Sequence, residues 1–170
     1  DEPDFSALAV QEFDWAETVY GKVQEEVPKD IPPPHGKPVV TVTYVDANLY
    51  HDIVTGRSVT GILHFCNQTL IEWFSKRQAC VQTATFGSEF VAARIAVDQI
   101  MDMRNTLRYL GVPVKGRSFL FGDNQAVVTN SVIPHSTLSK RHNALSYHRV
   151  REAIAAGVIN FYWINGKLNP

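Results

Sequence analysis

Sulfur is scarce in this chain, and so are long apolar stretches. Two cysteines, Cys66 and Cys80, among 170 residues provide no disulfide framework, which fits a reducing compartment. A zinc site on His64 and Cys66 would need two more ligands, so both thiols read as buried and structural. No apolar run approaches the roughly 20 residues of a membrane span, and no signal peptide heads the chain. There is no internal repeat or low-complexity tract, and neither Gly87 nor Gly122 belongs to a phosphate-loop motif. The chain starts at Asp1 rather than Met, which reads as a segment of a longer polypeptide. The net charge of -1 excludes a uniformly basic nucleic-acid binder.

What is present is unevenly distributed. Residues 1–30 carry nine acids against Lys22 and Lys29, whereas the remaining chain carries 14 Lys and Arg against eight acids. A basic body thus follows an acidic leader. The leader contains Phe5, Leu8, Val10, Phe13, Trp15, Val19 and Tyr20, too aromatic for a disordered tail, and is expected to dock on the body through a short helix or extended segment near 11–20. Pro28, Pro32, Pro33, Pro34 and Pro38 then mark a surface-hugging arm. Residues 1–38 are accordingly read as an N-terminal connection segment and 39–170 as one domain; 45% hydrophobic content suffices for its core.

Periodicity predicts the elements of that domain. Val39–Ala47 alternates as a strand, Ser58–Cys66 and Leu70–Lys76 continue it as an antiparallel meander, and Asn67-Gln68 turns the hairpin. A helix over 88–110 follows, with Phe90, Ala93, Val97, Ile100, Leu107 and Leu110 on one stripe; Ser88 is a candidate cap, and Gly111 with Pro113 ends it. Then come a strand at 118–122, a short helix near 125–130, a helix over 140–156 and a strand at 158–164. The order βββαβααβ suits an α/β fold with a five-stranded mixed sheet. Trp73, Trp163, Phe65, Phe74, Phe161 and Tyr162 read as core.

Three acids sit at element junctions. Val40, Val42, Tyr44 and Asp46 share one face of the first strand, so Asp46 prolongs a half-buried apolar row and needs a partner. Glu89 heads the long helix, and Asp123 closes the run Ser118-Phe119-Leu120-Phe121-Gly122. Each acid alone reads as a solvated carboxylate at an element end; the three come in the order strand, helix, strand end.

The set Tyr44-Val45-Asp46-Ala47, Thr60-Gly61, Ser75-Lys76-Arg77-Gln78, Ser88-Glu89-Phe90-Val91-Ala92, Asp123-Asn124 and Lys140-Arg141-His142 with Tyr147-His148 resembles the C-terminal ribonuclease H domain of copia-type LTR retrotransposon polyproteins. The resemblance implies the ribonuclease H-like fold, with strand order 3-2-1-4-5 and helices on both faces of the sheet. It also implies a metal-dependent endonuclease that hydrolyses the RNA strand of RNA/DNA hybrids during reverse transcription. Asp46, Glu89 and Asp123 would be its catalytic and metal-binding residues, holding two Mg²⁺ ions, with Mn²⁺ as a substitute. Its partners would be the hybrid and the reverse transcriptase domain of the same polyprotein, without a membrane, in cytoplasmic virus-like particles or the nucleus.

The match has departures. The family's fourth acid lies just after an Asn-Pro pair, and this sequence stops at Asn169-Pro170, so that acid and the last helix are expected to be missing. Phe86-Gly87-Ser88-Glu89-Phe90 stands where relatives often read Ala-Glu-Ala-Glu-Tyr, and Ala144 follows Arg141-His142-Asn143 where an acid is common. A catalytically inactive scaffold or partner-binding module on the same fold is therefore the second reading, and an integrase-type nuclease core a weaker third.

Lys76, Arg77, Asn124, His135, Lys140, Arg141 and His142 are the candidate nucleic-acid contacts. Hybrid recognition relies on shape and 2′-hydroxyl contacts, so no sequence-reading residues are expected. His148 reads as a packed histidine. The acidic leader is expected to cover part of the basic body and weaken substrate binding.

Overall fold

The computed structural model describes residues 2–52, 54–82, 84–138 and 141–170, with backbone only at 50–52. Alternating β-branched and aromatic residues form β1 (Thr41–Asp52), β2 (Arg57–Cys66) and β3 (Thr69–Arg77). Tyr44 pairs with Leu63 and Leu63 with Trp73, both antiparallel. Then follow α1 (Thr85–Tyr109), β4 (Ser118–Gly122), α2 (Gln125–Val132), a 3-10 turn (Arg141–Asn143), α3 (Ala144–Ala155) and β5 (Ile159–Trp163). β4 lies parallel to β1 and β5 parallel to β4, which gives one sheet in the order β3-β2-β1-β4-β5. This is the expected ribonuclease H-like arrangement.

The alternation of β1 builds two cores. Val45 and Ala47 join Ile62, Leu120, Ile159 and Phe161 beneath α1, α2 and α3, where Phe90, Ala93, Val97, Val127 and Val150 are buried. Fully burying a side chain such as Phe90 stabilises by roughly 1.5–3 kcal/mol. Val40 and Val42 belong to the other row, with Phe121, Tyr162, Tyr44 and Phe119. Helices were expected on both faces, but among the described residues all three α-helices contribute to the first core. Phe5 and Leu8 of the N-terminal arm cover the second, with the Phe5 ring 4.4 Å from that of Phe119.

The arm forms turns and extended chain rather than a helix, and it docks as expected. Trp15 enters the helical core, and the Gln11 amide brackets the backbone of Phe161, donating to its carbonyl at 2.8 Å and accepting from its N–H at 3.2 Å. Glu25 receives Arg104 through two bonds of 2.8 Å and Arg108 through a third. Burial opposes ionisation of Glu25, but the hydrogen bonds and charges of the two arginines prevail and hold its carboxyl at about 2. Glu2 pairs with Lys115. These pairs sit beside the Ser118 end of β4, so the acids that engage do so at the end of the sheet opposite Asp123. The acidic leader thus pairs with part of the basic body, as expected, at Arg104, Arg108 and Lys115.

Other local readings change as well. Trp73 is 73% exposed, because β3 is an edge strand with no described helix over that row, and Trp163 is half exposed. Cys66 is half-buried, and Cys80 is exposed in the loop after β3. Ser88 does not cap α1: the N-cap is Ala84, and Ser88 Oγ bonds the Thr85 carbonyl within the first turns. His64 is fully buried between Thr43 and Gln99, and burial pushes its pKa down, so it is a neutral core histidine rather than a ligand. Among the described residues, no helix is long and apolar enough to cross a membrane.

Candidate active site

Strand register assembles the acids. Val45 of β1 pairs in parallel with Gly122 of β4, so the next residue on each strand, Asp46 and Asp123, comes to the same end of the sheet on neighbouring strands. Gly122 suits this junction, since a Cβ there would lie 3.2 Å from the Phe161 ring. Glu89, in the second turn of α1, completes the group: one carboxylate oxygen from each acid lies within 4.8 Å of the others.

The electrostatics are those of crowded like charges. Glu89 is 8% exposed; its burial, then the charges of Asp46 and Asp123, push its pKa up to about 8 despite a hydrogen bond from the Ala47 N–H. Asp46, open to solvent on one side, is raised as well, first by desolvation and then by Asp123. Three hard oxygen donors at this spacing form a cluster that fits a divalent cation.

Positioning residues outside the predicted set hold this cluster. Gln78 donates to Thr60 Oγ1 at 3.0 Å and to the Ser88 carbonyl at 2.9 Å, tying the end of β3 to the turn that presents Glu89. The Trp163 indole donates to the Asp123 carbonyl at 2.8 Å, and Asn169 to the Val45 carbonyl at 3.2 Å. Gly166 passes so close that a Cβ would lie 2.9 Å from Asp123 Oδ2. Gln78 had a sequence signal as the last residue of Ser75-Lys76-Arg77-Gln78, and Asn169 as the first of the Asn169-Pro170 pair; Trp163 and Gly166 depend on how the chain runs through and beyond β5.

The predicted nucleic-acid contacts divide. Lys76 and Arg77 are exposed on β3, one and two residues beyond Ser75, which aligns through Gly61 with Asp46; they flank the acids two strands away. Arg141 and His142 are exposed in the 3-10 turn, and His135 in the loop after α2. Asn124 is the N-cap of α2, its side-chain oxygen accepting from Val127 N–H at 3.2 Å, so a capping role is what its oxygen performs. Lys140 lies outside the described residues.

No protein-family model matches the chain. A curated relative, the retrovirus-related Pol polyprotein from transposon TNT 1-94 of Nicotiana tabacum, is 28% identical over 127 residues, covering 75% of this chain; the match spans 10% of that polyprotein. Among solved structures, ribonuclease H1 of Halobacterium salinarum aligns with a TM-score of 0.58 at 12% identity, over 76% of this chain and 88% of that one. The N-terminal ribonuclease H domain of a Mycobacterium tuberculosis protein aligns at 0.57 and 13% identity, over 77% and 86%. A compost-derived ribonuclease H1, solved in complex with an RNA/DNA hybrid, aligns at 0.57 and 12% identity, over 76% and 88%. The chain has the ribonuclease H-like fold and is similar in sequence, over 127 residues, to a tenth of a tobacco transposon's Pol polyprotein.

Proposed function

We propose that this domain is a metal-dependent endonuclease that hydrolyses the RNA strand of RNA/DNA hybrids, acting beside the reverse transcriptase domain of its own polyprotein in cytoplasmic virus-like particles. The observation that carries the reading is the convergence of Asp46, Glu89 and Asp123 within 4.8 Å.

The donor set suits Mg²⁺, with Mn²⁺ as a substitute, and Asp46, Glu89 and Asp123 would hold it. Bound divalent ions supply activation of the attacking water and stabilisation of the leaving oxygen. The chain contributes rigidity and charge. Asp46 and Asp123 stand on paired strands, and Glu89 is held by the Ala47 N–H and by the Gln78 contact to its neighbour Ser88. With a carboxyl pushed up to about 8 by burial and by Asp46 and Asp123, Glu89 favours its protonated form near neutral pH, and holding a cation would require it to give that proton up. Lys76 and Arg77, just beyond Ser75, which is level with Asp46 across the sheet, and Arg141 and His142, in the 3-10 turn, are exposed and would meet phosphates.

The test is cleavage of a hybrid labelled on its RNA strand, with and without Mg²⁺ or Mn²⁺, for this chain, its Asp46→Asn variant and a chain extended past Pro170. The reading expects cation-dependent cutting that Asp46→Asn abolishes. Cutting that survives Asp46→Asn, or that ignores the cation, would sink it. Hybrid binding with no cutting by either length would instead support the non-catalytic module.

A further inference from the structure

Arg151 is 2% exposed, and none of the partners described for its guanidinium is a carboxylate. Nη1 donates to the carbonyls of Asn130 and Ile133 and to Ser136 Oγ, each at 2.7 Å, and Nη2 donates to the Pro134 carbonyl at 2.6 Å. Nε reaches the Tyr20 hydroxyl at 3.3 Å. Rings surround the charge, with Trp15 and Tyr147 centred 4.8 Å away and Tyr20 5.6 Å away. Burying a guanidinium with carbonyls and π faces alone is costly unless every donor is used, and only a planar fork meets so many acceptors at once. All its acceptors but Tyr20 belong to the end of α2 and the loop after it, and two of its three rings belong to the N-terminal arm.

The loop leaves α2 at Ile133, the opposite end of that helix from its N-cap Asn124, and Asn143, beyond the loop, has its Nδ2 3.2 Å from where a Cβ on Gly87 would stand, two residues before Glu89. The loop displays His135 and opens, against Glu17–Tyr20 of the arm, into a groove of about 660 Å³ that Arg141 and His148 also line. The Tyr20 hydroxyl hydrogen-bonds His148 Nδ1 at 2.6 Å, so the arm forms one wall.

We propose that Arg151 is a positioning residue for nucleic-acid binding: it clips the loop over residues 133–138, which carries His135 along the groove shared with Arg141 and His148, and the arm completes the clip with Trp15 and Tyr20. This rests on the hybrid-cleaving reading above. The arm is then a part of the substrate-binding face rather than an electrostatic mask over it. Phosphates of the hybrid, extending past the acids, meet His135 and Arg141 only while the loop is held.

The test uses the whole chain with Arg151→Lys, Trp15→Leu and Tyr20→Phe, and reads amide hydrogen exchange together with kcat and KM on the hybrid. Arg151→Lys is expected to speed exchange over 133–138 by about tenfold or more while β1 and β4 stay protected, and to raise KM about fivefold with kcat within about twofold. Trp15→Leu moves the same two readouts in the same direction, and it carries the test if Arg151→Lys fails to fold; Tyr20→Phe moves them less. Unchanged loop exchange and KM in folded variants would overturn the clip. So would exchange rising throughout the domain with kcat and KM both impaired, since Arg151 would then be an ordinary core residue. If the unaltered chain does not cleave hybrid, the nuclease reading fails separately, and loop exchange alone decides whether the clip exists.

Discussion

Replacing Glu89 by Gln should make the cation-free protein more stable, and increasingly so as pH rises. An ordinary glutamate in the unfolded chain loses its proton near 4.5, whereas the folded-state carboxyl holds it to about 8 because burial, Asp46 and Asp123 all disfavour its charge. Between those values the native state binds the more protons, so stability falls as pH climbs through the window. Below it, the acid and the amide differ little. The full shift would exceed 4 kcal/mol at one unit per roughly 1.4 kcal/mol, and relaxation around a crowded cluster reduces this to roughly 2–4 kcal/mol near pH 8. For a domain of this size that amounts to about 4–15 °C in Tm. The amide keeps an oxygen for the Ala47 N–H, so the exchange removes charge and little else. Melts in chelator at about pH 5 and about pH 8 should show a gap that opens with pH, and Mn²⁺ should close it by raising the unaltered protein more than the variant. A gap that is the same at both pH values would refute the account of Glu89, and the proton release assigned to it with that account.

Glu25→Gln breaks the arm's buried pairing and leaves Arg104 and Arg108 without their carboxylate; it should cost roughly 2–4 kcal/mol by denaturant titration at neutral pH. Because the Glu25 carboxyl is held at about 2, its contribution is complete above about 4.5 and disappears as pH falls through 2, so the variant and the parent should converge in strong acid. Gly166→Ala should push Asp123 Oδ2 aside, raising the Mn²⁺ midpoint about threefold or more while thermal stability changes by less than about 1 kcal/mol. Phe90→Ala, at a fully buried position, should cost about 3–5 kcal/mol in an unfolding titration. Deleting residues 1–30 should lower stability by removing Trp15, Phe5 and Glu25 together, and should not raise hybrid affinity.

Much of the fold was legible in the chain because its periodicities are strong. β4 has the bounds that Ser118–Gly122 suggested, and the meander and the long helix differ only at their ends. The residues after Asp123 likewise read correctly as a short helix. Helix α3 is shorter than 140–156 because a 3-10 turn takes its first residues. Trp73 was misread because alternation identifies a row of side chains but not whether anything lies over it. Cys80 was misread because the chain leaves the sheet after Arg77.

Alone, the sequence determined which residues alternate, where the strands and helices fall, and that one acid lies on the first strand, one near the start of the long helix and one just after the fourth strand, since these depend on local pattern and chain stereochemistry. It could not determine how near those acids stand or how strongly they raise one another. Those follow from the Val45–Gly122 register and the seating of α1 on the sheet, which are relations between distant segments. Nor could it pair Glu25 with Arg104 or surround Arg151 with two rings of the arm. A charge or an aromatic ring looks the same in sequence whether water or another segment meets it, and only packing decides which.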